Sequence, residues 1–111
     1  MLSFLGALKV YLSIDAADLR KSFNGLYGLA EGVLKEDPRS GGLFVFTNQR
    51  RNRIKILWWD GSGLLVCAKR LERGKFTIPV SENGQVSLRG EDFNALIHGL
   101  EVRSKKDWYR R

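Results

Sequence analysis

Three apolar, β-rich runs follow one another between Leu43 and Arg70, and this succession limits the fold more than any other feature of the chain. They are Leu43–Thr47, Arg53–Trp59 and Leu64–Arg70. Asn48 to Asn52 joins the first pair, and Asp60-Gly61-Ser62-Gly63 joins the second. Both spacers are polar and short enough for antiparallel hairpins. In the middle run the side chains alternate: Ile54, Ile56 and Trp58 fall on one face, and Arg53, Lys55, Leu57 and Trp59 on the other.

On the N-terminal side, Leu8, Val10, Leu12 and Ile14 alternate with Lys9, Tyr11 and Ser13, which predicts a strand with one buried face. Asp15 then offers an N-cap, and Asp18 offers a carboxylate for the first turn. Leu19, Phe23, Leu26, Tyr27, Ala30, Val33 and Leu34 recur at three- and four-residue steps, predicting one long amphipathic helix that ends near Lys35. Gly25, Gly28 and Gly32 are expected to permit close packing of that helix on the sheet. The cluster Asp37-Pro38-Arg39-Ser40-Gly41-Gly42 ends it.

Beyond Arg70, Glu72-Arg73-Gly74 reads as a turn before a short Phe76–Pro79 strand. Ser81-Glu82-Asn83-Gly84 is turn chemistry, followed by a short strand over Gln85–Leu88. A last helix from about Glu91 to His98 presents Phe93, Leu96 and Ile97 inward and stops near Gly99. The expected architecture is α+β: an antiparallel sheet with the long helix packed on one face. With 111 residues, it occupies one domain over residues 1–102, with a basic tail over 103–111.

Composition narrows the chemistry. One cysteine (Cys67) and one histidine (His98) cannot build a zinc site, and the same shortage argues against a catalytic triad or a Cys–His dyad. Cys67 is expected to be a small core residue in a reducing cytosol, and no internal disulfide can form. No run approaches a membrane span, and the start of the chain lacks the basic region of a secretory signal. A cytoplasmic protein with no cofactor, no metal and no membrane partner is expected.

The net charge of +7 is unevenly distributed. Residues 1–47 are neutral, 48–75 carry +6, 76–102 carry −3, and 103–111 carry +4. The middle surplus comes from Arg50, Arg51, Arg53, Lys55, Lys69, Arg70, Arg73 and Lys75, against Asp60 and Glu72. Cations beside Trp59 on one strand face could neutralise phosphates while the indole stacks on an unpaired base. A solvated face with Trp59 packed under a loop or a basic stem is the plainer alternative. Arg20 and Lys21 stand at the expected start of the helix, where the dipole opposes cations, and are candidate secondary contacts. In the tail, Trp108 and Tyr109 lie among cations, fitting either an arm that orders on a partner or a solubilising terminus.

Catalytic alternatives are weak. Gly61-x-Gly63 lies between strands and not before a helix, so it is a turn and not a nucleotide loop. Glu72-Arg73-Gly74-Lys75 with Asp60 distantly evokes the acid–lysine set of metal-dependent nucleases, but its spacing differs. The twelve acids offer no obvious trio for two metal ions.

Several blocks together have the look of a known family. They are Asp18-Leu19-Arg20-Lys21-Ser22-Phe23-Asn24-Gly25-Leu26, Asp37-Pro38-Arg39-Ser40-Gly41, the long run from Leu43 to Asp60 that includes Thr47-Asn48-Gln49-Arg50-Arg51-Asn52, and Lys69-Arg70-Leu71-Glu72-Arg73-Gly74-Lys75-Phe76. In this order, from about Val10 to Phe76, they resemble the TnpB accessory family of insertion sequence 66. Ser22 and Asn24 stand where that family pattern has Gly and Asp, and Cys67-Ala68 where it has an aromatic pair. The resemblance implies a bacterial mobile-element protein encoded beside a separate transposase and needed for efficient transposition. It implies no catalytic residues. Expected partners are the DNA of the element ends, the transposase, or both. A protein-only adaptor on the transposase is the alternative.

Overall fold

The computed structural model describes residues 9–79 and 85–99. Five strands and two helices follow in the order β1 (Val10–Ser13), α1 (Phe23–Gly32), β2 (Leu43–Thr47), β3 (Arg53–Trp59), β4 (Leu64–Arg70), β5 (Gln85–Leu88) and α2 (Gly90–Ile97). They form one sheet in the order β4-β3-β2-β1-β5. The three central runs take the expected strand boundaries, with Val45 opposite Ile56 and Ile56 opposite Cys67 in an antiparallel meander.

The sheet is mixed, which corrects the antiparallel expectation. β1 pairs with β2 in parallel, Val10 opposite Leu43, and with β5 in antiparallel, Val10 opposite Leu88. A parallel pair cannot be joined by a tight turn. The segment between Ile14 and Gly42 carries the chain back across the sheet, and α1 is its helical part. β2 lies in the middle of the sheet and is buried at all five positions.

Both faces are covered: the first helix packs on one, as expected, and the second helix together with Phe76 on the other. On one face Leu26, Ala30 and Leu34 pack on Phe44, Phe46 and Leu57, with Tyr11 stacked on Phe44 at 5.2 Å between ring centroids. On the other, Phe76, Phe93 and Leu96 pack on Val10, Leu12, Val45, Ile54 and Ile56. Removing each such large apolar side chain from water contributes roughly 1.5–3 kcal/mol. Phe76 belongs to no strand, contrary to expectation. Residues 76–79 run without a ladder, anchored where the Phe76 N–H donates to the Arg51 carbonyl at 2.6 Å. Cys67, expected in the core, is half-buried and packs against the second core from its edge.

The first helix is shorter than its periodicity predicts. Asp15 and Asp18 lie outside it, and its N-cap is Ser22 with no side-chain cap bond. The Asp18 carboxylate is already engaged by the Arg20 N–H and guanidinium, which closes a local turn and delays the helix. Leu19 still packs on the α1-side core, but from a loop. Phe23 and Val33, expected inward, are 48% and 52% exposed. The helix ends at Gly32 with Val33 as its C-cap, after which Lys35 takes a left-handed φ of 55° and the Glu36 N–H returns to the Ala30 carbonyl. Gly28 and Gly32 touch nothing, so they do not serve close packing. Gly25 does not meet the sheet either: a Cβ there would lie 2.8 Å from Lys21 Cβ, on the approach to the helix.

α2 lies within one residue of its expected span. The Arg89 N–H donates to the Asp92 carboxylate at 3.3 Å at its start, and Gly99 at φ 75° ends it. The turn expected over residues 81–84 and the tail 103–111 lie outside the described residues.

Candidate nucleic-acid interface

The parallel pairing of β1 with β2 brings together loops that are far apart in sequence. Both strands run toward the same end of the sheet, so the chain leaves β1 for the 14–22 loop beside the place where it leaves β2 for the 48–52 loop. The Ala17 N–H donates to the Thr47 carbonyl at 2.8 Å, tying the two loops. β3 starts at this end and β4 finishes there, followed by the 71–75 turn. The Leu71 N–H donates to the Asn52 carbonyl, so this turn is fastened to the hairpin loop. Arg20, Lys21, Arg50, Arg51, Arg53, Lys55, Lys69, Arg70, Arg73 and Lys75 therefore gather at one end of the sheet.

The hairpin loop is held by one side chain. Asn48 Oδ1 accepts from the Asn52 N–H at 3.1 Å and the Arg53 N–H at 3.0 Å, while its Nδ2 donates to Asn52 Oδ1 at 2.7 Å. Arg51 completes the turn in the left-handed region at φ 57°. Its half-buried guanidinium donates to the Ile14 carbonyl, which makes Arg51 a brace between loops. Arg50, at the tip, is exposed.

Arg53 and Arg70 stand directly opposite each other across β3 and β4, and Lys55 is opposite Ala68 on the same face. Like charges placed directly opposite are destabilising in a sheet. With Leu19 these residues line an open groove of about 430 Å³. Glu72 lies 3.2 Å from Arg70, an exposed pair that stabilises little. Arg50, Arg53, Arg73 and Lys75 have no carboxylate partner among the described residues. Lys55 Nζ donates to the Lys21 carbonyl at 2.8 Å, joining β3 to the approach to α1. Lys69 faces the other side and donates to the Ile97 carbonyl at the end of α2, where a cation is favoured. Arg20 is paired with Asp18 at 2.9 Å and exposed. This pairing holds the Asp18 carboxyl down to about 2, with the Arg20 side-chain hydrogen bond as the chief cause.

Trp59 stands apart. It occupies the far end of β3, about 20 Å from Arg53 at roughly 3.3 Å per residue. The Arg39 guanidinium lies 4.9 Å from its ring centroid, so one ring face is covered by a basic stem. Asp60, the other residue of the nuclease alternative, caps its own turn. It accepts from the Ser62 N–H, the Gly63 N–H and the Ser62 hydroxyl, and these bonds lower its carboxyl below the usual range. Among the described residues no group of three or more His, Cys, Asp or Glu could hold a metal ion. Nor is any helix of these residues long and apolar enough to cross a membrane.

The family model for IS66 Orf2-like proteins matches residues 8–107. The chain belongs to this family. The match extends past the Val10–Phe76 blocks to α2 and the first residues of the tail. Similar relatives include two uncharacterized proteins of Sinorhizobium fredii. One, y4jC, is 36% identical over 103 residues, covering 93% of this chain and 83% of the relative. The other, y4hO, is 31% identical over 103 residues, covering 93% and 90%. No solved structure matches the chain. IS66 Orf2-like proteins are transposition-associated accessory proteins, so the basic end of the sheet belongs to a member of a family that accompanies transposition machinery.

One feature of this end escaped the sequence reading. Phe23, assigned to the buried stripe, opens α1 as an exposed aromatic two residues after Lys21. The signal available was its place at the edge of the stripe, next to a basic pair.

Proposed function

We propose that this IS66 Orf2-like protein is a non-catalytic accessory factor that binds DNA at the element ends, alone or with the transposase, through the basic end of its sheet. The observation that carries the reading is the Arg53–Arg70 pair. Two guanidinium groups opposed across neighbouring strands, with Lys55 beside them and an open groove in front, are arranged for an anion that offsets their repulsion. Arg50, Arg73 and Lys75 extend the positive surface, and Arg20 and Lys21 border it. Arg51 and Lys69 hold the platform together, and Trp59 lies outside it. Residues 1–102 act as one unit, with the tail over 103–111 as an additional basic arm.

The test is a gel-shift with element-end DNA, with and without transposase, comparing wild type with an Arg50→Ala/Arg53→Ala/Arg70→Ala variant. The reading expects a shift by wild type that the variant loses, with circular dichroism of the two unchanged. Capture of transposase without DNA, and no shift of DNA alone, would favour the protein-only adaptor.

A further inference from the structure

We infer that Phe23 is a base-stacking contact, so that the preferred DNA is single-stranded or locally unpaired and not intact duplex; this rests on the DNA-binding reading above. The inference starts from an oddity of burial. Among the described residues only Phe23 and Val33 are exposed large hydrophobics. Val33 lies at the far end of α1, whereas Phe23 is its first residue. Phe23 belongs to neither core cluster, so packing gives it no role.

Its surroundings are fixed. The Lys21 side chain lies against Gly25 in the first turn of α1, and the Lys21 carbonyl accepts from Lys55 Nζ. Lys55 lines the groove with Arg53, Arg70 and Leu19. The aromatic therefore stands two residues from Lys21, whose backbone carbonyl is tethered to the cationic groove through Lys55. An aromatic ring beside a track of cations suits unpaired nucleotides, because every base has a π-face for the ring and a phosphate for the cations. A duplex offers the phosphates but keeps its bases stacked on one another. Trp59, the other candidate for stacking, has a ring face under Arg39 and lies at the opposite end of β3.

The test compares three DNAs of the same element-end sequence: an intact duplex, a duplex with a central unpaired bubble, and a single strand. Wild type, Phe23→Ala and Phe23→Tyr are titrated against each at one salt concentration. Stacking on one base accounts for a change of about tenfold or more in affinity. Wild type should bind bubble and single strand more tightly than duplex. Phe23→Ala should lose about tenfold on those two and little on duplex, and Phe23→Tyr should retain the preference. If duplex binding depends on Arg53 and Arg70 but Phe23→Ala behaves as wild type on all three DNAs, the stacking role is overturned and the DNA-binding reading stands. If no DNA binds, with or without transposase present, both are overturned.

Discussion

At the residue scale, the three glycines of α1 have opposite roles, although the sequence presents them alike. Gly28 and Gly32 face open space, so alanine there removes backbone freedom from the unfolded chain without a clash. Gly28→Ala and Gly32→Ala should each stabilise by about 0.5–1 kcal/mol in urea unfolding. Gly25→Ala should destabilise, because its Cβ would meet the Lys21 stem. It should also weaken DNA binding, since Lys21 anchors Lys55. A second residue-scale prediction concerns Asp18. Its carboxyl is depressed to about 2 in the folded protein, against an ordinary value of 3.8. Whatever it adds to stability is present above the unfolded value and lost as pH falls through the folded one. Carbon-detected NMR of the Asp18 carboxyl should give a midpoint about two units below that of an unperturbed aspartate. Arg20→Ala should return it to the ordinary range.

At the scale of elements, the hairpin loop rests on Asn48. Its side chain accepts from two backbone N–H groups and donates to Asn52, so Asn48→Ala leaves several polar groups without their partners. A loss of about 1–2 kcal/mol in thermal or urea unfolding is expected. Binding to DNA should fall further than in Asn52→Ala, because Asn48 sets the direction of Arg50 and Arg53. The strands of this hairpin were legible in the sequence because period-2 alternation reports burial directly: Ile54 and Ile56 on one side, Leu57 on the other. The start of α1 was not. Asp15 has the chemistry of an N-cap and Asp18 that of a first-turn carboxylate, but Arg20 offers the Asp18 carboxylate a closer donor, and helical periodicity cannot weigh that competition. Phe23 departs from its expected place for a related reason. Three- and four-residue spacing groups it with Leu26 and Ala30, yet in the first turn of the shortened helix it falls outside the apolar cover.

For the whole molecule, pairing was what the sequence did not carry. Alternation in Val10–Ser13 predicts a strand but does not say which neighbour it takes or in which direction. The parallel partnership with β2 brings Arg20 and Lys21 to the same end as Arg50, Arg53 and Arg70. Charge counting located the surplus along the chain, and the topology located it in space. The cover of the second face was legible only in part: α2 with Phe93 and Leu96 inward follows from its periodicity, whereas Phe76 packs from a segment that is neither helix nor strand. The assembled surface makes a quantitative prediction. If Arg50, Arg53, Lys55 and Arg70 each neutralise one phosphate, log affinity against log salt should have a slope of roughly −2.8 on a single strand, at about −0.7 per phosphate, and of roughly −3.6 on duplex, at about −0.9. Removing Arg53 and Arg70 should reduce its magnitude on duplex by about 1.8. A salt-independent shift would argue against direct phosphate contact.

The pairing of β1 with β5 also has a consequence for how the chain reaches this structure. The meander from β2 to β4 closes through turns of a few residues, but Val10 must find Leu88 across most of the chain. Closing so long a loop is entropically late, so the meander should assemble first and the β1–β5 seam last. In hydrogen exchange, amides of β5 should open before those of β3. A nascent chain released before residue 85 would have its charged end nearly built while one side of the sheet still lacked its closing strand.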